Sequence, residues 1–242
     1  MPPLRAVFFD AAGTLFDARE SVGGTYARIA REHGLNASDE AVTAGFRRAF
    51  GSAPELAFGL GLSPEELRRK ERAWWRSVVR GSFEELGQFR DFDAFFDGLF
   101  AYFADPAHWR IDPEALAVLN HLKNAGFQLG VISNFDSRLY AILENLRLKP
   151  LFDSITISSE AGYAKPRREV FAAALARHGL EAAGAMHVGD SPHLDFDASH
   201  AAGMTAVLLD PKLDEPLNIM DRKALVRSLA YLKEVTQVLG SA

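Results

Sequence analysis

Residues Leu4–Phe16 read LRAVFFDAAGTLF. Leu4 to Phe9 is apolar apart from Arg5, and it ends on Asp10, followed by Gly13 and Thr14. A short run that is apolar on both faces is the pattern of a strand buried within a parallel sheet. An acid directly after such a strand is costly to hold unless it is used. The pattern returns at Phe127–Ser133 (FQLGVIS), Ser154–Ile157 (SITI), Ala185–Gly189 (AMHVG) and Thr205–Asp210 (TAVLLD). Helical periods fall between these strands, at Pro113 to Ala125, Ser137 to Leu148 and Arg167 to His178. A further helix is expected from Ala224 to Leu239, with Leu225, Leu229, Leu232, Val235 and Leu239 along one face. Strands alternating with helices predict a three-layer α/β core, a Rossmann-like parallel sheet between helices.

One stretch breaks the alternation. From Asp17 to Asp105 no strand is expected, and segments such as YARIAREH (Tyr26–His33) and EELRRKERAWW (Glu65–Trp75) have helical periodicity. Ten of the 18 phenylalanines fall here, which suits the interior of a helical bundle. The expected organisation is therefore an α/β core of residues 1–16 and 106–242 carrying an all-helical cap of residues 17–105. Ligands of such sheets bind beyond the C-terminal strand ends, so the insertion is expected to lie over the site as a lid.

Composition narrows the function. The chain has 242 residues, no Cys, and 27 Lys and Arg against 32 Asp and Glu, for a formal charge of −5. The absence of Cys excludes disulfides, thiolate metal sites and Cys nucleophiles. A mildly acidic chain without a basic run does not suit nucleic acid or an anionic membrane. No apolar stretch reaches membrane-spanning length, and the N-terminus lacks the layout of a signal peptide. A cytoplasmic protein, monomer or homodimer, is expected.

Polar residues gather at four strand ends: Asp10 with Thr14, Ser133 with Asn134, Lys165 in GYAKP (Gly162–Pro166), and Asp190 with Asp195 in GDSPHLD (Gly189–Asp195). Together they offer a carboxylate nucleophile, a hydroxyl with backbone N–H groups, a cation and an acid pair, the set that phosphoryl transfer with Mg²⁺ needs.

These four motifs, in this order, resemble the haloacid dehalogenase superfamily, in the branch whose helical cap follows the first strand. Ile132–Leu146 (ISNFDSRLYAILENL) and His200–Met204 (HAAGM) resemble its haloacid dehalogenase-like hydrolase domain-containing protein 3 group. The resemblance implies a hydrolase acting on a small phosphorylated molecule, with Asp10 as the nucleophile that becomes an aspartyl-phosphate. Thr14, Ser133, Asn134 through its backbone N–H, and Lys165 would hold the phosphate, with Lys165 also catalytic. Asp10, Asp190 and the backbone carbonyl of Ala12 would hold Mg²⁺. Asp195 would ligate through water or orient Lys165. Asp136 reads instead as an N-cap for a helix at Ser137, Asp197 as a solvated helix acid and His187 as a packed core residue.

Ala12 departs from the pattern, because family phosphatases usually carry there a second Asp that shuttles the proton. A dehalogenase of this superfamily needs neither that Asp nor Mg²⁺. A phosphonoacetaldehyde hydrolase needs a cap Lys, and the cap region holds only Lys70, in a highly charged run. A non-hydrolytic relative that binds a phosphorylated ligand or a partner is the remaining alternative.

Overall fold

The computed structural model describes residues 3–240. The chain divides into two compact units: Met1–Asp17, Ala57–Leu60 and Ile111–Ala242 in one, Ala18–Leu56 and Gly61–Arg110 in the other.

The first unit is built on a seven-stranded sheet. The nine strands among the described residues are β1 (Ala6–Phe9), β2 (Phe16–Ala18), β3 (Trp109–Ile111), β4 (Gln128–Ser133), β5 (Ser154–Ile157), β6 (Ala185–Gly189), β7 (Thr205–Leu209), β8 (Leu217–Met220) and β9 (Lys223–Val226). The order across the sheet is β5-β4-β1-β6-β7-β9-β8. All neighbours are parallel except β8, which runs antiparallel to β9. β1 lies between β4 and β6, with Phe9 beside Val131 and Val188. The chain lays β4 and β5 on one side of β1 and then β6 and β7 on the other, which opens a crevice at the C-terminal strand ends. β2 and β3 pair separately, at the two crossings between the units.

Helices complete the layers: α5 (Ala115–Asn124), α6 (Leu139–Asn145), α7 (Ser158–Ala161), α8 (Arg168–His178), α9 (Ala198–Ala201) and α10 (Leu232–Gly240). Side chains alternate across a strand, so Ala6 and Phe8 point one way. They pack with Ile132 and Ala185 against Val170, Phe171 and Ala174 of α8. Gly179 ends α8 in the left-handed conformation, where a side chain is disfavoured.

The second unit holds α1 (Val22–Glu32), α2 (Asp39–Ser52), α3 (Pro64–Ser82) and α4 (Phe92–Ala104). Ser21, Ser38, Ser63 and Asp91 each accept a bond from a first-turn backbone N–H of the helix they precede. Each such cap is worth about 1 kcal/mol. Phe83, Phe95 and Phe96 fill the interior with Tyr26, and further phenylalanines pack around them. Lys70 is exposed on α3. No helix among the described residues is long and apolar enough to cross a membrane.

Two expectations for the core are corrected. Ala224 to Leu239 is not one helix. Its first residues form β9, a short 3₁₀ turn covers Leu229–Tyr231, and only Leu232–Gly240 is α-helical. The apolar spacing serves both, because Ala224 and Val226 alternate into the core while Leu229, Leu232 and Val235 line the helix. Parallel pairing with β7 decides for the strand. The helix expected at Ser137 begins at Leu139, after Asp136 and Arg138 engage each other.

Candidate active site

The C-terminal ends of β1, β4 and β6 bring the expected residues together. Asp10 follows β1, and its backbone N–H donates to Val188 O of β6 at 2.8 Å. The chain then turns sharply at Gly13, with φ +87°. A Cβ built on Gly13 would lie 2.6 Å from a carboxylate oxygen of Asp190. Glycine is therefore required twice, for its backbone conformation and for the close approach of the two strand ends. Thr14 is buried, and its Oγ1 has no hydrogen-bond partner. Ser133 is buried at the end of β4. Ala12 is half-buried beside the turn.

Lys165 is held at both ends. Asn134, just past β4, accepts from the Lys165 backbone N–H at 2.7 Å and donates through Nδ2 to the Lys165 carbonyl at 2.9 Å. The Lys165–Pro166 peptide is cis. At the other end, Nζ lies 2.9 Å from Asp10 Oδ1 and donates to Asp195 Oδ1 at 2.6 Å. Burial works against the ammonium, but Asp10 and Asp195 outweigh it and raise its pKa.

Asp195 sits in a π-helical turn, Pro192–Asp197, that folds its carboxylate back onto β6. Its Oδ2 accepts from the Ser191 N–H at 3.1 Å, and its Oδ1 also meets His187 Nε2 at 2.8 Å. Gly189 leaves room, since a Cβ there would lie 2.2 Å from Asp195 Cγ. Burial opposes the charge of Asp195, yet Lys165 and His187 hold its carboxyl well below the usual carboxylate range.

Asp190 is exposed at the end of β6. Desolvation, with the like charges of Asp10 and Asp195 behind it, pushes its carboxyl up to about 6. One oxygen from each of Asp10, Asp190 and Asp195 lies within 4.8 Å of the others. Three carboxylates face a single ammonium, and the donors are hard oxygens, so the cluster fits Mg²⁺. Asp195 already serves Lys165, His187 and Ser191, while Asp10 meets only Lys165 through Oδ1 and Asp190 is exposed.

Other expected roles are refined. Asp136 is buried and caps the turn that leads into α6. It accepts from the Arg138 N–H at 3.0 Å and holds the guanidinium through Nε at 2.9 Å and Nη2 at 2.6 Å. Asp197 is exposed. His187 is fully buried, but it contacts the acid cluster as well as the core. Its one sequence signal is that it is a polar residue within an apolar strand, on the side of β6 that Asp195 folds back against. The side-chain clasp of Asn134 on Lys165 has no local sequence signal, because the partners are 31 residues apart.

An acid at the end of the central strand, a buried lysine beside it and further acids from the neighbouring strand match the pattern of the haloacid dehalogenase class of hydrolases. The family model described as haloacid dehalogenase-like hydrolase matches residues 4–203, and the chain belongs to this family. It is 34% identical over 213 residues to haloacid dehalogenase-like hydrolase domain-containing protein 3 of Bos taurus, covering 85% of this chain and 82% of that one. The Homo sapiens protein of the same name is 33% identical over 235 residues, covering 95% and 92%. Among solved structures, an HAD phosphatase from Thermococcus onnurineus matches with a TM-score of 0.65 at 23% identity, covering 96% of this chain and 97% of that one. L-2-haloacid dehalogenase from Xanthobacter autotrophicus matches with a TM-score of 0.72 at 17% identity, covering 97% and 98%. These likenesses establish a shared fold across two chemistries.

Proposed function

We propose that this hydrolase is a Mg²⁺-dependent phosphatase acting through an aspartyl-phosphate on a small phosphorylated metabolite. The observation that carries the reading is the charge balance of the cluster: Asp10, Asp190 and Asp195 converge on one ammonium, Lys165. That surplus of negative charge suits a site built for a divalent cation, and carbon–halogen hydrolysis has no need of it. Mg²⁺, when bound by Asp10, Asp190 and the Ala12 carbonyl, offsets the charge of the phosphoryl oxygens.

A carboxylate oxygen of Asp10 attacks phosphorus. The ester P–O bond breaks, and its electron pair leaves with the alcohol oxygen. Water then attacks phosphorus, the bond to Asp10 breaks, and inorganic phosphate departs from a regenerated carboxylate. The Ser133 hydroxyl, the Asn134 N–H, Lys165 and the unpartnered Thr14 hydroxyl hold phosphoryl oxygens. With Ala12 in place of an acid, the leaving alcohol takes its proton from water, which favours stable leaving groups such as aryl oxides.

Ala12 also favours a second reading, a relative that binds phosphorylated ligands without turnover. One experiment separates the readings: steady-state assays over aryl, alkyl and acyl phosphates, with and without Mg²⁺, with halide release from 2-haloacids measured in parallel. Mg²⁺-dependent phosphate release is expected. Metal-independent halide release would overturn the proposal in favour of a dehalogenase. Binding of a phosphate analogue with no turnover would favour the second reading.

A further inference from the structure

The side chain of His187 lies wholly inside the protein, on the face of β6 that packs against α8. Its ring meets Phe171 edge-on, with centroids 5.4 Å apart. Nε2 is 2.8 Å from Asp195 Oδ1, the same oxygen that accepts from Lys165 Nζ. Nδ1 is buried and has no hydrogen-bond partner. A carboxylate accepts only, so the hydrogen between Nε2 and Oδ1 belongs to the imidazole. A second hydrogen on Nδ1 would be a buried donor with nothing to receive it. The geometry thus places a hydrogen on Nε2 and offers one on Nδ1 nothing to bond.

We infer that His187 is a positioning residue: its Nε2–H clamps Asp195 Oδ1 so that Lys165 is held against Asp10. The inference rests on the hydrolase reading of Asp10 and Lys165, and it holds whichever bond the enzyme breaks. Three donors fix the Asp195 carboxylate. The Ser191 N–H restrains Oδ2, while Lys165 and His187 converge on Oδ1. Without His187, Oδ1 keeps only the flexible lysine chain, and the carboxylate is free to rotate about its Cβ–Cγ bond. The ammonium then loses the fixed point that sets its 2.9 Å approach to Asp10 Oδ1. A single turn of the chain thus links a strand residue to the nucleophile through Asp195 and Lys165, with no contact between His187 and substrate.

The test compares His187→Gln, whose amide can still donate to Asp195, with His187→Met, which is similar in length and cannot. Expected are a ring ¹⁵N spectrum of the wild type with hydrogen on Nε2 alone, and a slowly exchanging Lys165 ammonium signal that persists in the Gln variant and broadens away in the Met variant. On whichever substrate the wild type turns over, the Met variant is expected to lose roughly 10- to 100-fold in kcat at little changed KM, the scale typical of groups that orient a reacting centre. The Gln variant should recover most of that loss. A purely structural role would lower the thermal midpoint of both variants without this split. Hydrogen on Nδ1, an unaltered Lys165 signal in the Met variant, or equal loss in both variants would overturn the inference. If no substrate is turned over, the functional reading fails while both spectra still decide this one. If the Met variant does not fold, the ring spectrum and the Lys165 signal of the Gln variant decide it.

Discussion

The molecule carries two sets of opposite charges that differ in almost every physical respect. Along the seam between α3 and α4, Arg72 pairs with Asp97 and Arg76 with Asp93. The same guanidiniums lie over rings, Arg72 above Phe96 and Phe100 at 4.9 and 5.0 Å and Arg76 above Phe92 at 5.3 Å. These arginine side chains are about 40% exposed and their acids more so. At the strand ends, Lys165 and Asp195 are 2% and 1% exposed, and Asp10 13%. Exposed pairs contribute about 0–1 kcal/mol and are readily replaced. Burying an ion pair costs several kcal/mol in lost hydration, which the attraction offsets only when the geometry is good. A chain that accepts that cost, and adds two further donors to fix Asp195, is holding charge in place for a task other than stability.

The sharpest way to break this comparison is Asp10→Asn. The amide keeps the shape and cannot attack phosphorus, so turnover is expected to fall to background while circular dichroism stays unchanged. Retained activity would show that the buried cluster is structural after all. Next is Ala12→Asp, which supplies a general acid–base of a kind typically worth about 10²–10⁴-fold. If phosphorylation of Asp10 limits the rate, the gain should be largest on alkyl phosphates. If hydrolysis of the aspartyl-phosphate limits it, the gain should be similar for all leaving groups. Steady-state kinetics on one aryl and one alkyl ester distinguishes the two. Asp190→Ala should abolish the rise in thermal midpoint that Mg²⁺ produces, a linkage worth about 2.7 kcal/mol at a hundredfold excess over Kd. An unchanged response would move the metal elsewhere.

A smaller effect comes from His178, which bonds Ser154 Oγ at 2.6 Å and Gln128 Oε1 at 2.7 Å. Burial, helped by Arg177 and Lys123 and opposed by Asp153, lowers its pKa from the ordinary value of 6.5. The unfolded chain therefore binds a proton first. This contribution to stability is full above about pH 6.5 and is lost as the pH falls through the lower folded-state value. The thermal midpoint of His178→Gln should fall less steeply than that of the wild type between pH 7 and 5, a range set by the ordinary histidine value of about 6.5. The smallest effect is expected at the helical seam. A double-mutant cycle on Arg76 and Asp93, both to Ala, should give a coupling under about 1 kcal/mol that weakens with salt.

How far each region could be read beforehand follows the same division. Strand-end polar residues announce themselves, because Asp10, Asp190 and Ser133 each interrupt an apolar run at a place where a polar group is costly. The parallel strands and the helical character of the inserted region followed from periodicity. The hairpin β8–β9 did not, because four residues are too few to separate a period of 2 from one of 3.6, and a partner strand made the choice. The roles of His187 and the Asn134 side chain were hidden for a different reason. Each depends on a contact between segments brought together by the sheet, and a lone polar residue carries no trace of its partner. The segment Ala57–Leu60 likewise groups with the core although it lies within the inserted region, a consequence of tertiary packing alone.

The clasp of Asn134 on Lys165 has a consequence for how this architecture tolerates change. The amide copies the donor and acceptor that a neighbouring strand would offer, so the lysine is anchored to the end of β4 and not to the length of its own loop. The chain between β5 and Ala164 is itself packed, with Ser158 and Ser159 of α7 wholly buried, so an insertion there would disturb the core before it reached the ammonium. The charge therefore stays in register through two independent holds, a side-chain anchor at β4 and a buried turn behind it, and losing either one alone leaves the other in place.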